Sequence, residues 1–427
     1  MKKFFEFMEK YFVPVAAKIG GQRHLVAIRD GFVTITPLVI AGSFAVLINN
    51  LGFEWYQNMM NSFLPANWKD FGGSIWNASF GIMSLLVVCT ISYHLARSYD
   101  KDGMASAMVS LGSLIILYTF TPDGTIPMTY LGGAGLFVAI IVALVATEIF
   151  TRLLGNPKLV IKMPNGVPPA VSKSFAALFP SIIVLVIAAA VKYIFVGFGV
   201  TNVHESLFLL IQAPLQGAVG SYPGLMILVF VQQLLWFFGL HGSNILAPVI
   251  NAVLLPLTEA NMQAVQSGLT PEFIVNSQFL DSFINMGGSG TTIGLLIAIF
   301  LVGRKSKTQM MIAKLGIAPG CFNINEPVIF GMPLVLNPIY FIPFILAPMV
   351  SGTIAYLLTL WGFMPAVSVM ANWTMPPIIG AILSTNSLMG GVGALICIIA
   401  SIAIYIPFVM IATREELEEE KKQAQNN

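Results

Sequence analysis

The chemistry open to this chain rests on very few side chains. Between positions 315 and 413, Glu326 is the sole Asp, Glu, Lys, Arg or His. A charge inside a membrane costs at least about 2.5 kcal/mol on insertion scales, so an isolated acid in an apolar tract reads as a functional group facing a cavity. Its setting, Asn323-Ile324-Asn325-Glu326-Pro327, also suits a helix start, with Pro327 in the first turn and Asn325 or Glu326 as the cap. His241 closes the run Trp236-Phe237-Phe238-Gly239-Leu240-His241 and is followed by Gly242-Ser243-Asn244. A histidine there offers a hydrogen bond to a ligand, or serves as a satisfied structural residue. The tract Asn285–Thr292, with Gly288 and Ser289, superficially resembles a phosphate-cradling loop but has no P-loop lysine, which argues against a nucleotide. Its glycines allow close backbone approach, and its amides suit sugar hydroxyls or a phosphate. Trp373, just before Pro376 and Pro377, is placed either to stack on a pyranose ring or to anchor at the membrane interface.

These side chains sit in an unusual background. Only 9% of the 427 residues are charged and 56% are hydrophobic, against roughly 25% charged in ordinary globular chains. Apolar side chains outnumber the interior positions of a water-soluble fold, so the chain is expected to be a polytopic membrane protein and not a soluble enzyme. A net charge of +2, dispersed in short clusters, gives nucleic acid no footprint. Cys89, Cys321 and Cys397 stand apart in apolar surroundings, with the spacing of neither a disulfide framework nor a metal site. No cleavable signal peptide is read at the N-terminus.

Residues 1–31 interleave Phe4, Phe5, Tyr11, Phe12 and Val15 with Lys and Glu, the pattern of a helix lying in the interface on the cytosolic side. Spans of about 20 residues follow at 32–51, 75–96, 104–121, 131–153 and 174–200, forming a first half over 32–203. The loops holding Arg97 and Lys101, and Arg152, Lys158, Lys162 and Lys173, alternate with loops poor in Lys and Arg, which puts the N-terminus in the cytosol. Residues 204–220 read as an interfacial amphipathic connector. The second half, 221–413, has ordinary spans at 221–240, 291–303, 338–361 and 389–411, with no Lys or Arg between Lys192 and Arg304 or between Lys314 and Arg414. Stretches 242–290 and 315–337, studded with Gly, Pro, Asn and Ser, are poor simple crossings. Irregular backbone is tolerated at membrane depth only inside protein or around a cavity, so these are expected to be re-entrant hairpins or broken helices at a substrate site. Residues 414–427 form a charged cytosolic tail.

The segments NINEPVIFGMPLVLNP, FFGLHGSNILAPV and EKYFVPVAAKIGGQRHLVAIRDGF resemble the membrane-embedded IIC component of the sugar phosphotransferase system, in its lactose/cellobiose/diacetylchitobiose branch, and the likeness covers essentially the whole chain. The resemblance implies an all-α polytopic membrane protein of about ten transmembrane helices plus two re-entrant hairpins, an elevator-type transporter. The first half would hold a homodimer together while the second carries a β-linked disaccharide across the bacterial cytoplasmic membrane. The sugar's 6-hydroxyl would then be phosphorylated from a phosphocysteine. With no fused IIB domain in the chain, separate cytosolic IIB and IIA proteins are expected as partners. Within that resemblance Glu326 is the base, His241 holds the sugar or orients that carboxylate, and Trp236, Asn244, Gly288, Ser289, Asn325 and Trp373 shape the pocket. No metal or organic cofactor is implied. The rival is a proton-coupled secondary sugar transporter with Glu326 and His241 as its relay, which the motifs disfavour. Cellobiose, diacetylchitobiose and lactose differ by an acetamido group or one hydroxyl configuration, which a few contacts decide.

Overall fold

A computed structural model describes residues 6–51, 54–161, 168–332 and 334–426; Phe4, Phe5, Lys162 and Pro333 lie outside them. All regular elements among the described residues are helical, as befits a chain that must bond its own amides wherever lipid surrounds it. Seven helices are long and apolar enough to cross a membrane, and up to eight if the bent pair Val203–Val219 and Tyr222–Phe237 is one span. Gly103–Leu117 and Thr292–Val302 are apolar but shorter.

The first half contains α1 (Arg23–Asn49), α2 (Met83–Arg97), α3 (Gly103–Leu117), α4 (Leu136–Leu154) and α5 (Pro169–Gly197). Helix α2 packs against α1, α3 and α4, and the four share a core that includes Phe32, Met83, Leu95, Leu114 and Phe150. Helix α5 stays at the edge and leaves Phe175, Phe179, Ile182 and Val186 exposed along one stripe. Helix α1 starts nine residues earlier than hydropathy alone suggests. Gln22 sets that start, because its side-chain oxygen accepts the Leu25 amide at 2.9 Å and satisfies an otherwise orphan donor. Ahead of it, Met8–Phe12 and Val13–Gly20 are helical and two-faced. Met8 enters the core of the second half, and the Phe12 ring lies 6.1 Å from that of Phe238, while Phe7, Tyr11, Val15 and Ile19 stay exposed.

The second half contains α6 (Tyr222–Phe237), α7 (Gly242–Val249), α8 (Leu255–Gln266), α9 (Ser277–Phe283), α10 (Thr292–Val302), α11 (Lys307–Gly320), α12 (Glu326–Gly331), α13 (Pro338–Leu360), α14 (Pro377–Thr385) and α15 (Leu388–Asn426). Here the structure departs from the sequence expectation for 242–290. A π-helical turn, Ile250–Leu254, joins α7 to α8, and the run Gly242–Gln266 is long and apolar enough to span. Its polar residues do not break the run: Asn244 and Asn251, two turns apart, face one cavity. True irregularity begins after it, in the short α9, the glycine tract behind it and the turn before α12. A further irregular stretch, 361–376, leads into α14, which packs on α9; the Ser282 and Ser384 hydroxyls meet at 2.8 Å. Helix α15 is the spine of this half, packed by α10, α13 and α14.

The charged tail continues α15 without a break. The Glu416 carboxylate accepts from the Ser306 hydroxyl and from the Thr308 amide at 3.1 Å, while Ser306 caps α11 through the Gln309 amide at 3.0 Å. A carboxylate at a helix N-terminus is doubly favoured, by hydrogen bonding and by the helix dipole. Glu416→Ala should therefore cost about 1 kcal/mol of stability and speed deuterium exchange at the first amides of α11. Unchanged exchange there would show that the tail does not hold that helix end.

Candidate functional site

The glycine tract between α9 and α10 builds the floor of the site. Gly287, Gly288 and Gly290 have φ of 77°, 93° and 81°, the left-handed region where only glycine sits without strain. At Gly288 an added Cβ would lie 2.3 Å from Asn325 Cγ, so the backbone passes directly under that asparagine. Asn325 donates from Nδ2 to the Ser289 carbonyl at 2.6 Å and to Thr292 Oγ1 at 3.0 Å. Asn323 accepts the Gly287 amide at 2.7 Å and donates to the carbonyls of Trp373 at 2.6 Å and Met375 at 2.9 Å. Two asparagines thus tie three irregular segments together and satisfy backbone groups that lipid could not.

Glu326 is the first residue of α12, and Asn325, although at the cap position, makes no side-chain cap bond. Its amide is spent on the glycine tract instead. Glu326 itself is exposed to the cavity. Across from it, His241 sits at the N-terminus of α7, where its Nδ1 accepts the Asn244 amide at 3.2 Å. The proton of a neutral imidazole is then on Nε2, which leaves that nitrogen as a donor toward the cavity. The His241 ring lies 4.2 Å from the Trp236 ring. Trp236 Nε1 donates to Ser243 Oγ at 3.4 Å, and Gln232 donates to Ser243 Oγ and Asn285 Oδ1 at 3.1 and 3.0 Å.

All eight residues singled out in the sequence, Trp236, His241, Asn244, Gly288, Ser289, Asn325, Glu326 and Trp373, line one cavity of about 480 Å³. That size lies in the usual range of small-molecule sites. Trp373 presents an indole that is 52% exposed. The first half contributes Val33 of α1, and Met370 closes a further edge while its backbone holds Ser43 Oγ at 2.6 and 2.7 Å. Sequence reading passed over Gln232 and Asp281 and took Asn285 and Asn323 only as the starts of the tracts holding Gly288 and Glu326; all four line the cavity. Asp281 had a signal, since it is the sole acid between Glu272 and Glu326. One carboxylate at a helix start, a second acid, an imidazole, several amides and two indoles make a surface that hydrogen-bonds hydroxyls around an apolar ring face. Among the described residues no three His, Cys, Asp or Glu side chains are grouped to hold a metal ion.

Residues 29–348 match the family described as Phosphotransferase system, EIIC. The chain is 38% identical over 430 residues to the oligo-beta-mannoside-specific EIIC component of Bacillus subtilis, covering 98% of this chain and 96% of that one. It is 36% identical over 438 residues to the cellobiose-specific EIIC component of Geobacillus stearothermophilus, covering 99% and 97%. The crystal structure of the transporter ChbC, the IIC component from the N,N'-diacetylchitobiose-specific phosphotransferase system, superposes with a TM-score of 0.93 at 37% identity over 97% of this chain and 99% of that one. The chain belongs to the EIIC family of the phosphotransferase system. With its apolar helices it is a multi-pass protein of the bacterial plasma membrane.

Glycine geometry supplies a direct test of the floor. Gly288→Ala should destabilise the purified protein by about 1–3 kcal/mol through backbone strain and displace Asn325. Gly73→Ala, inside the helix Lys69–Asn77 with nothing within 4 Å of an added Cβ, should hold or raise the unfolding temperature, because alanine is the better helix former. Equal behaviour of the two variants would mean that the tract is not held as described.

Proposed function

We propose that the chain is an EIIC permease that carries a β-linked disaccharide of the cellobiose or diacetylchitobiose type across the membrane and presents its 6-hydroxyl for phosphorylation. The observation that carries this reading is the convergence of Glu326, His241, the Asn and Ser side chains and two indoles on one cavity. The donor is a phosphocysteine on a separate IIB protein, served in turn by IIA. The sugar O6 attacks phosphorus, its proton passes to the Glu326 carboxylate, the S–P bond breaks, and the IIB cysteine leaves as a thiolate. His241 Nε2 holds the sugar or the carboxylate in line. The product gains about −1.5 to −2 charges near neutral pH, which bars its return through lipid.

The domain roles belong to the same proposal. Residues 32–203 form a fixed half that dimerises, 204–220 a lever, and 221–413 a mobile half in an elevator of about ten transmembrane helices and two hairpins. The 74° bend between Val203–Val219 and Tyr222–Phe237 supports the lever reading. Sparse polar ties across the halves, such as Ser43 with Met370 and Asn386 Nδ2 to the Asn50 carbonyl at 2.7 Å, suit a boundary that slips.

Glu326→Gln should keep disaccharide binding and abolish sugar-phosphate formation with saturating phosphorylated IIB; wild-type turnover would remove Glu326 as the base. His241→Ala should weaken binding by about 1–3 kcal/mol, read by calorimetry, and an equal Kd would leave it a structural residue. For the motion, a thiol bridge between Ser43→Cys and Met370→Cys, with the native cysteines replaced, should arrest uptake until reduced. Uptake at the unbridged rate would rule out sliding at that boundary.

A further inference from the structure

A second cavity, of about 390 Å³, lies where the two halves and the connector meet. The first half gives it Asn77 and Thr129, the connector Gln212 and Gln216, and the run Gly242–Gln266 gives Glu259 and Gln263. Gln212 is 1% exposed; its Nε2 donates to the Gly133 carbonyl at 3.0 Å, and its Oε1 has no hydrogen-bond partner. That oxygen is closed off even from water-sized groups, so the amides open to a guest are those of Asn77 and Gln263, both exposed, and of Gln216, which is half-buried. Glu259 presses on Gly132 and Gly133, where an added Cβ would fall 2.6 and 2.0 Å from its carboxylate oxygens. The glycine pair therefore makes room for that side chain at the cavity edge.

The lining selects the class of ligand. It holds no Lys or Arg, so an anion finds no counter-charge. An apolar guest would strand those three side-chain amides. One carboxylate with no His or Cys gives a transition metal no donor set. Amides that donate and accept, one acid and the aromatic walls of Trp76, Phe208 and Phe273 match a neutral polyol, and repeat the chemistry of the first cavity. The same helical run lines both: Asn251 faces the first and Glu259 the second, about 12 Å apart along the axis at 1.5 Å per residue.

We propose that this junction cavity is a second saccharide subsite, a waiting position beside the first cavity. The proposal rests on the sugar-transport reading of that first cavity. Its test uses the full chain in nanodiscs, with the native cysteines replaced and single reporters Thr129→Cys in the second cavity and Asn251→Cys in the first. Maleimide labelling is followed with and without cellobiose. At about ten times Kd an occupied site reacts about tenfold more slowly. Protection is expected at both positions; with His241→Ala it should fade at 251 and persist at 129. Gln263→Leu and, independently, Gln216→Leu should abolish protection at 129 and keep it at 251, which also shows that each variant is folded. Protection at 251 alone overturns the second subsite and leaves the transport reading standing. Loss at 129 together with 251 in His241→Ala overturns it too, since the change would only be relayed. Protection at 129 alone upholds the subsite and removes the first-cavity reading. Protection at neither position overturns both.

Discussion

Asn323 and Asn325 hold the second half together at its least regular point. Their amides reach the glycine tract, the α12 turn and the stretch around Trp373, three pieces of backbone with no ladder of their own. At membrane depth each unpaired amide or carbonyl costs several kcal/mol, so these segments stay irregular only while the two asparagines bond them. The cavity follows from that: the glycines let the chain pass beneath Asn325, the α12 start then places Glu326 at the rim, and the stretch pulled in by Asn323 brings Trp373 opposite. Remove the ties and the acid has no fixed position at the rim.

The imidazole is fixed by a separate device. Capping α7 through Nδ1 uses one nitrogen structurally, while the side chain also lines the cavity. Trp236, lying against its ring, is itself bonded through Ser243 into the Gln232 and Asn285 network. The two sides of the cavity are therefore oriented by different local causes, a helix start on one and a pair of asparagine bridges on the other.

Much of this was legible in the chain because low charge makes exceptions conspicuous. A lone Glu326 in about a hundred otherwise uncharged residues, and a His241 ending a run of aromatics, stand out without any knowledge of contacts. Residues whose importance is tertiary stayed hidden: Asn323 reads as a turn residue until its three partners in distant segments are known, and Gln232 lies inside an ordinary apolar helix. The Gly, Pro, Asn and Ser content also misled over 242–266, since composition cannot tell polar residues that break a helix from Asn244 and Asn251 aligned on one face of a continuous one. The packing of Met8 and Phe12 on the second half carries no sequence signature, because apolar side chains of an interfacial helix look alike whether they meet lipid or protein.

The 39 residues of α15 measure about 58 Å at 1.5 Å per residue, roughly twice the thickness of the hydrocarbon layer. A rod of that length cannot be contained by the bilayer, and its aqueous end is clasped to the start of α11 by Glu416. One continuous helix thus joins the packing of the buried half to a charged end that lipid cannot enclose.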